Sequence, residues 1–279
     1  KDNAGWFDDQ ALPRGAGGSG SLGVTQLLVD DFFMKDGKMP ILGYNNSGET
    51  QTAIVDLESG YSETGYSTED DVRATNWHYA VAGSKASGDR HVVAPKNTFN
   101  MYCNREPRFY ADLGFDRGYW FGNGRTKDVG KGTASETPWI VAAKKGQMSG
   151  KTKETTYSRS GYFCKKMVHF EAATDANGKA TYARTTYPLM RLADLYLLYA
   201  EALNESLNEP NDEVYYYIDE VRKRAGLKGV KESWSNYSRN PDKPLTKIGM
   251  RDIIRQERMI ELSFESKRFW DVRRWKLAH

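Results

Sequence analysis

Between Tyr44 and Tyr79 the sequence gathers the rings of Tyr44, Tyr61, Tyr66, Trp77 and Tyr79 among the polar side chains of Asn45, Asn46, Glu69, Asp70, Arg73 and Asn76. Aromatic faces beside planar polar groups suit a ligand that is apolar on one face and hydroxylated round its edge, which is the description of a sugar ring. Tyr44, Asn45, Tyr61, Tyr66, Arg73, Trp77 and Tyr79 are therefore the candidate ligand-binding residues. The rings would stack, while side-chain amides and Arg73 would select hydroxyl geometry. For any one ring taken alone, ordinary core or surface packing is the competing reading. Tyr119 and Trp120, in Gly118-Tyr-Trp-Phe-Gly122, form a second aromatic run, better read as a hydrophobic plug after a strand than as a platform.

Bond-breaking chemistry finds little support. His78, His91, His169 and His279 show no metal-ligand spacing with one another or with Cys103 and Cys164, and no G-x-S-x-G elbow is present. No metal and no cofactor is expected. Calcium near Asp70 and Asp71 is a weaker reading than solvated carboxylates. Gly15-Ala-Gly-Gly-Ser-Gly20 fits G-x-G-x-x-G, but the preceding Asp8 to Arg14 is no buried strand, so a flexible loop is the better account. A glycoside hydrolase would need two carboxylates ~5–9 Å apart, a separation that sequence does not reveal. The reading favours binding over catalysis, with a hydrolase or a ligand-free scaffold as alternatives.

With 40 basic and 37 acidic side chains the charges nearly cancel, which argues against a nucleic-acid partner. No apolar stretch approaches the ~18 residues of a membrane span. The two cysteines report little about compartment.

The elements that must position the candidate residues differ along the chain. Residues 1–187 are punctuated by Gly, Ser, Asn, Asp and Thr clusters and read as a loop-rich region expected to bind ligand. There a short helix is expected at Gln26 to Met34 and another around Glu69 to Val81. Strands are expected near Arg108 to Ala111 and Gly161 to Glu171, with a hairpin-type turn at Asp175 to Gly178.

Residues 188–279 read as helical, packed with the rest as one unit. Leu189, Leu192, Leu195, Tyr196, Tyr199 and Leu203 recur at spacings of three and four, and so do Val214, Tyr217, Ile218, Val221 and Ala225. Pro210-Asn211-Asp212 starts the second helix and Gly226 stops it. The pair has roughly the ~34-residue length of one tetratricopeptide unit, which cannot bury its own face and so calls for neighbouring helices. A third helix is expected from Thr246 through Phe264, the repulsion among its Glu257, Glu261 and Glu265 offset by the pairs Arg258–Glu261 and Glu265–Arg268 three residues apart, with Trp270 and Trp275 anchoring its end in the core.

Three blocks in order, Pro188-Leu-Met-Arg-Leu-Ala-Asp-Leu-Tyr-Leu-Leu-Tyr-Ala-Glu-Ala-Leu-Asn204, Val221-Arg-Lys-Arg-Ala-Gly-Leu227 and Glu257 to Trp275, resemble the closing signature of SusD/RagB-like proteins. Gln26 to Gly37, Arg105-Glu-Pro-Arg-Phe-Tyr110 and Gly161 to Lys166 resemble that family's central blocks. The resemblance implies a mainly α fold, with tetratricopeptide-like helical pairs and a loop-rich region carrying short strands. It also implies a non-enzymatic, lipid-anchored nutrient-binding protein at the outer-membrane surface. Such a protein takes oligosaccharide, less often peptide, and presents it to a SusC-like TonB-dependent transporter. The stretch between the Asp-Gly turn and the Arg-Glu-Pro-Arg block is similar in place to the region that lends aromatic side chains to the glycan site. The family's amino-terminal half, with most of its helices and the lipidated cysteine, is expected to have no counterpart here.

Overall fold

A computed structural model describes residues 4–48, 50–73, 91–120, 139–152, 156–168, 173–174, 180–181 and 188–277. In chain order the helices are α1 (Ala4–Ala11), α2 (Gln26–Asp31), α3 (Pro107–Asp112), α4 (Leu192–Ser206), α5 (Asp212–Arg224), α6 (Val230–Tyr237), α7 (Lys247–Glu261) and α8 (Arg268–Arg274). The strands are β1 (Ile41–Ser47), β2 (Thr50–Val55), β3 (Asp71–Arg73), β4 (His91–Ala94), β5 (Leu113–Gly114), β6 (Tyr119–Trp120), β7 (Trp139–Ile140), β8 (Phe163–Cys164), β9 (Ala173–Thr174) and β10 (Ala180–Thr181). Among the described residues each strand has one antiparallel partner, β1 with β2, β3 with β4, β5 with β8, β6 with β7 and β9 with β10. The fold is mainly α, with a tetratricopeptide-like helical pair and a loop-rich region that carries the short strands.

The chain forms two compact units. The first comprises Lys1–Gln26, Glu63–Cys103 and Tyr110–Thr186; the second comprises Leu27–Ser62, Asn104–Phe109 and Tyr187–His279.

In the first unit Leu12, Ala16, Trp120, Val141 and Phe163 form a buried cluster. Trp120 is thus the plug that the sequence suggests. The helix expected at 69–81 is not formed where it is described: Asp71–Arg73 is β3, in register with His91–Ala94. Its reason is tertiary, since the partner strand lies some twenty residues on and the Tyr110 hydroxyl donates to Asp71 Oδ2 at 2.9 Å. Residues 74–81 lie outside the described residues. The strand expected at 108–111 is also corrected, because Pro107–Asp112 is α3. Proline at the first helical position fixes φ and gives up an N–H that would have no partner there. The strand expected at 161–171 is confined to Phe163–Cys164 in its described part, and the turn at 175–178 lies outside the described residues, between the paired β9 and β10.

In the second unit α4 and α5 pack as an antiparallel pair against α7. Asn211 caps α5 by accepting the Val214 N–H at 3.1 Å, Gly226 ends it at φ 77°, and Thr246 caps α7 through the Gly249 N–H at 3.1 Å. The helical period of α4 is as expected, but its inward face is not. Asp194, Leu197, Ala200, Glu201 and Asn204 are buried, while Leu192, Leu195 and Tyr199 of the expected apolar row are exposed.

Two carboxylates can occupy that buried face because arginines meet them. Arg258 reaches Asp194 at 3.0 Å, and Arg274 and the Trp275 indole N–H both hydrogen-bond Glu201. The same device organises α7. Glu257 is fully buried between Arg108 and Arg222, and Glu261 meets Arg108, Arg191 and Arg224. Glu265 pairs with Arg191 at 2.7 Å. The expected partners three residues away along the helix are replaced by arginines from other segments. Burial opposes the Arg108 charge, yet Glu106, Glu257 and Glu261 outweigh it and hold its pKa well above the usual value.

Helix α7 also stops earlier than expected, at Glu261, and the chain turns through Phe264 (φ 64°) and Ser266 (φ 61°) into α8. Trp270 is not a core anchor: it is 66% exposed and packs edge-on against Phe269. Trp275 is half-buried among the guanidinium groups of Arg255, Arg268 and Arg274.

Candidate functional site

The candidate residues fall in both units. In the second, Tyr44 and Asn45 lie on β1, whose register with β2 pairs Tyr44 with Ala53 and Asn45 with Thr52. Tyr44 donates its hydroxyl to Asp30 Oδ2 at 2.8 Å; burial first, then this bond and the nearby Asp31, push the phenol pKa upward. Asn45 is exposed. Tyr61 is enclosed, 4% exposed, with the Arg105 guanidinium 5.4 Å from its ring centre. Arg105 is itself buried, donating to the Val29 and Phe32 carbonyls. The Tyr61 ring therefore stands where the competing core reading puts it. Nearby, Met34, Lys35, Asp36, Ser59, Gly60 and Asn104 line a hollow of about 260 Å³.

In the first unit Arg73 ends β3, and Trp77 and Tyr79 lie outside the described residues. Tyr66 is the ring with an open face: it is 50% exposed, bridged through its backbone to Phe99 and tilted against the Phe99 ring at 5.6 Å. Behind it run Tyr102, Phe115 and Tyr162. Tyr102 is 4.8 Å from Phe115 and 5.8 Å from Tyr162 between ring centres, so Tyr66 is backed by an aromatic wall. Burial raises the Tyr102 pKa, the Tyr162 hydrogen bond opposes that, and Asp116 and Tyr66 add to it.

Polar groups converge on the same edge. Lys144 Nζ sits 4.5 Å from the Tyr66 ring centre, donates to its hydroxyl at 3.2 Å, and is 4.0 Å from Asp116 Oδ2. Asp116 Oδ1 accepts the Ala143 N–H at 2.8 Å. Arg117 donates to the Lys96 carbonyl at 2.9 Å, and Asp70 accepts the Lys96 N–H at 2.6 Å. Tyr119 lies within the field of this group: burial and Asp70 raise its pKa and Arg117 lowers it. The arrangement is one of recognition, a ring face fringed by ammonium, carboxylate and amide groups.

Sequence reasoning found Tyr66 but missed Lys144, Asp116 and Arg117. They come from segments some fifty and eighty residues on. The one signal they carry is the acid-free run of Lys144, Lys145 and Lys151 in residues 139–152. Asp70 and Asp71 are engaged by Lys96 and Tyr110, and among the described residues no cluster of His, Cys, Asp and Glu could hold a metal. Among those residues no helix is long and apolar enough to cross a membrane.

A family model described as the SusD family matches residues 2–279. A SusD-like protein P2 of Formosa agariphila is 36% identical over 114 residues, covering 41% of this chain and 21% of its own length. The solved structure of BT4246 superposes with a TM-score of 0.62 at 22% identity, over 96% of this chain and 38% of that one. Its selenomethionine form gives 0.59 at the same identity, over 96% and 39%. The likeness to these structures is one of fold, and the chain spans about a fifth of the curated relative and under two fifths of the solved ones.

Proposed function

The chain belongs to the SusD family, and from that premise we propose that it serves as a glycan-binding component at a bacterial outer-membrane surface. It captures an oligosaccharide and passes it to a TonB-dependent transporter of the SusC type, the protein being held at the membrane by a lipid anchor. Its work is preorganised recognition, and no bond is broken. The observation that carries the reading in this chain is Tyr66, a half-exposed ring braced by an aromatic wall and edged by Lys144 and Asp116. Tyr44, Asn45, Arg73, Trp77 and Tyr79 are proposed as further ligand-binding residues, while the enclosed Tyr61 packs on Arg105 within its own unit. Affinity is modest, because hydroxyl groups leaving water give back much of the hydrogen-bond energy they gain.

Calorimetric titration of an oligosaccharide panel against the wild type, Tyr66→Ala and Trp77→Ala tests this, with reducing ends followed in parallel. Binding without turnover that weakens in either folded variant supports the reading. Sustained release of reducing ends would assign a hydrolase instead, and silence across glycans and peptides would leave a scaffold.

A further inference from the structure

The ligand-binding reading leaves the sugar class open, and the charges around Tyr66 bear on it. Residues 139–152 carry Lys144, Lys145 and Lys151 and no acidic residue, and all three lysines are exposed. Arg117 and Lys96 add two more cations on the neighbouring segments, against Asp116 and Asp70. Asp116 is shared between the Ala143 N–H and a distant Lys144. Arg117 makes no ion pair among the described residues, and its Nε is enclosed there without a hydrogen-bond partner.

The lysine at the ring is held in place rather than merely nearby. Its loop is closed by its own backbone: Gly146 N–H donates to the Lys151 carbonyl, Gln147 N–H to the Lys144 carbonyl and Ser149 N–H to the Ala142 carbonyl. The Lys144 N–H is capped by the Gln147 side chain at 3.1 Å. Gly150 fits only because it has no Cβ, which would collide with the Ala143 and Lys144 carbonyl oxygens. Arg117 sits at φ 68°, a left-handed conformation uncommon for a long side chain. An ammonium has three donors; that of Lys144 gives one to the Tyr66 hydroxyl and stands at 4.0 Å from its nearest carboxylate, with half its side chain exposed.

Resting on the glycan-binding reading, we infer that the Tyr66 edge takes an acidic sugar, whose carboxylate or sulfate is met by Lys144, carried on an acid-free segment. The sugar ring lies along Tyr66 while its anionic group replaces Asp116 as the ammonium's nearest anion. A charge-assisted bond at such a site is worth a factor of about ten or more in affinity.

The test titrates the chain with a neutral galacto-oligosaccharide, an oligogalacturonate and a sulfated galacto-oligosaccharide of matched length. At low salt at least one acidic ligand should bind about tenfold tighter than the neutral one, and the preference should shrink as salt screens it. Which of the two binds tells carboxylate from sulfate. Lys144→Met should abolish the preference and Lys144→Arg should retain most of it. Equal binding of neutral and acidic ligands, or a preference that survives Lys144→Met, overturns the inference and leaves glycan binding standing. No binding of any glycan by the folded chain removes both.

Discussion

The two units put the same side-chain types to opposite use. Around α7 the carboxylates are interior and each is met by arginines: Glu257 is enclosed by Arg108 and Arg222, and Glu261 meets three guanidinium groups. Beside Tyr66 Lys144 is exposed, loosely met by Asp116, and presented by a loop closed by its own backbone hydrogen bonds. A charge with all its partners inside the protein specifies architecture, because removing one partner strands the others in a medium of low polarity. A charge with spare donors at an open aromatic face is available to a ligand. Charge density alone would have ranked the closing helices first; the state of satisfaction reverses that ranking.

Three measurements would break or sharpen this contrast. The largest effect is expected at Glu257→Ala, which leaves the buried Arg222 without its carboxylate and takes one of three from Arg108, and should cost ~3–5 kcal/mol of stability by urea denaturation. A loss comparable to a surface substitution would show that the network is not what holds the second unit.

An intermediate effect is expected from Asp31, whose pKa burial lifts to about 6, with Arg268 opposing and Asp30 adding. Below its unfolded value of 3.8 the group is protonated in both states and contributes nothing to the pH dependence. As pH rises from there to about 6, the unfolded chain ionises first, the folded chain holds more protons, and stability falls. Asp31→Asn should flatten that segment of the stability profile and raise stability at pH 7. An unchanged slope would place the acid-range titration elsewhere.

The smallest effect on stability is expected at Lys144→Met, within about 0.5 kcal/mol, as for exposed side chains whose partners are weak. A loss of several kcal/mol there would make Lys144 a structural residue and erase the distinction between the units.

Much of the fold was legible because it is local. The three-and-four spacing in α4 and α5, the Asn211 and Thr246 caps and the Gly226 stop are written into short stretches of sequence. Where a distant partner decides, local reading failed. β3 is extended because β4 pairs with it, and α3 is helical although Arg108 to Ala111 reads as a strand. The inward face of α4 carries Asp194 and Glu201 because Arg258 and Arg274 arrive from later in the chain. Trp270, an apparent anchor by composition, is on the surface because the turn at Phe264 to Ser266 redirects α8.

The site divides in the same way. The sequence by itself determined the class of protein, through motif blocks whose order needs no geometry, and it marked Tyr66 as a ring among polar residues. Only the tertiary structure decided that Tyr61 is enclosed while Tyr66 is open, and that Lys144 and Asp116 form the edge of that ring. Periodicity and capping act over a few residues and can be read along the chain. Burial, and the meeting of charges fifty to eighty residues apart, exist only once the backbone has closed.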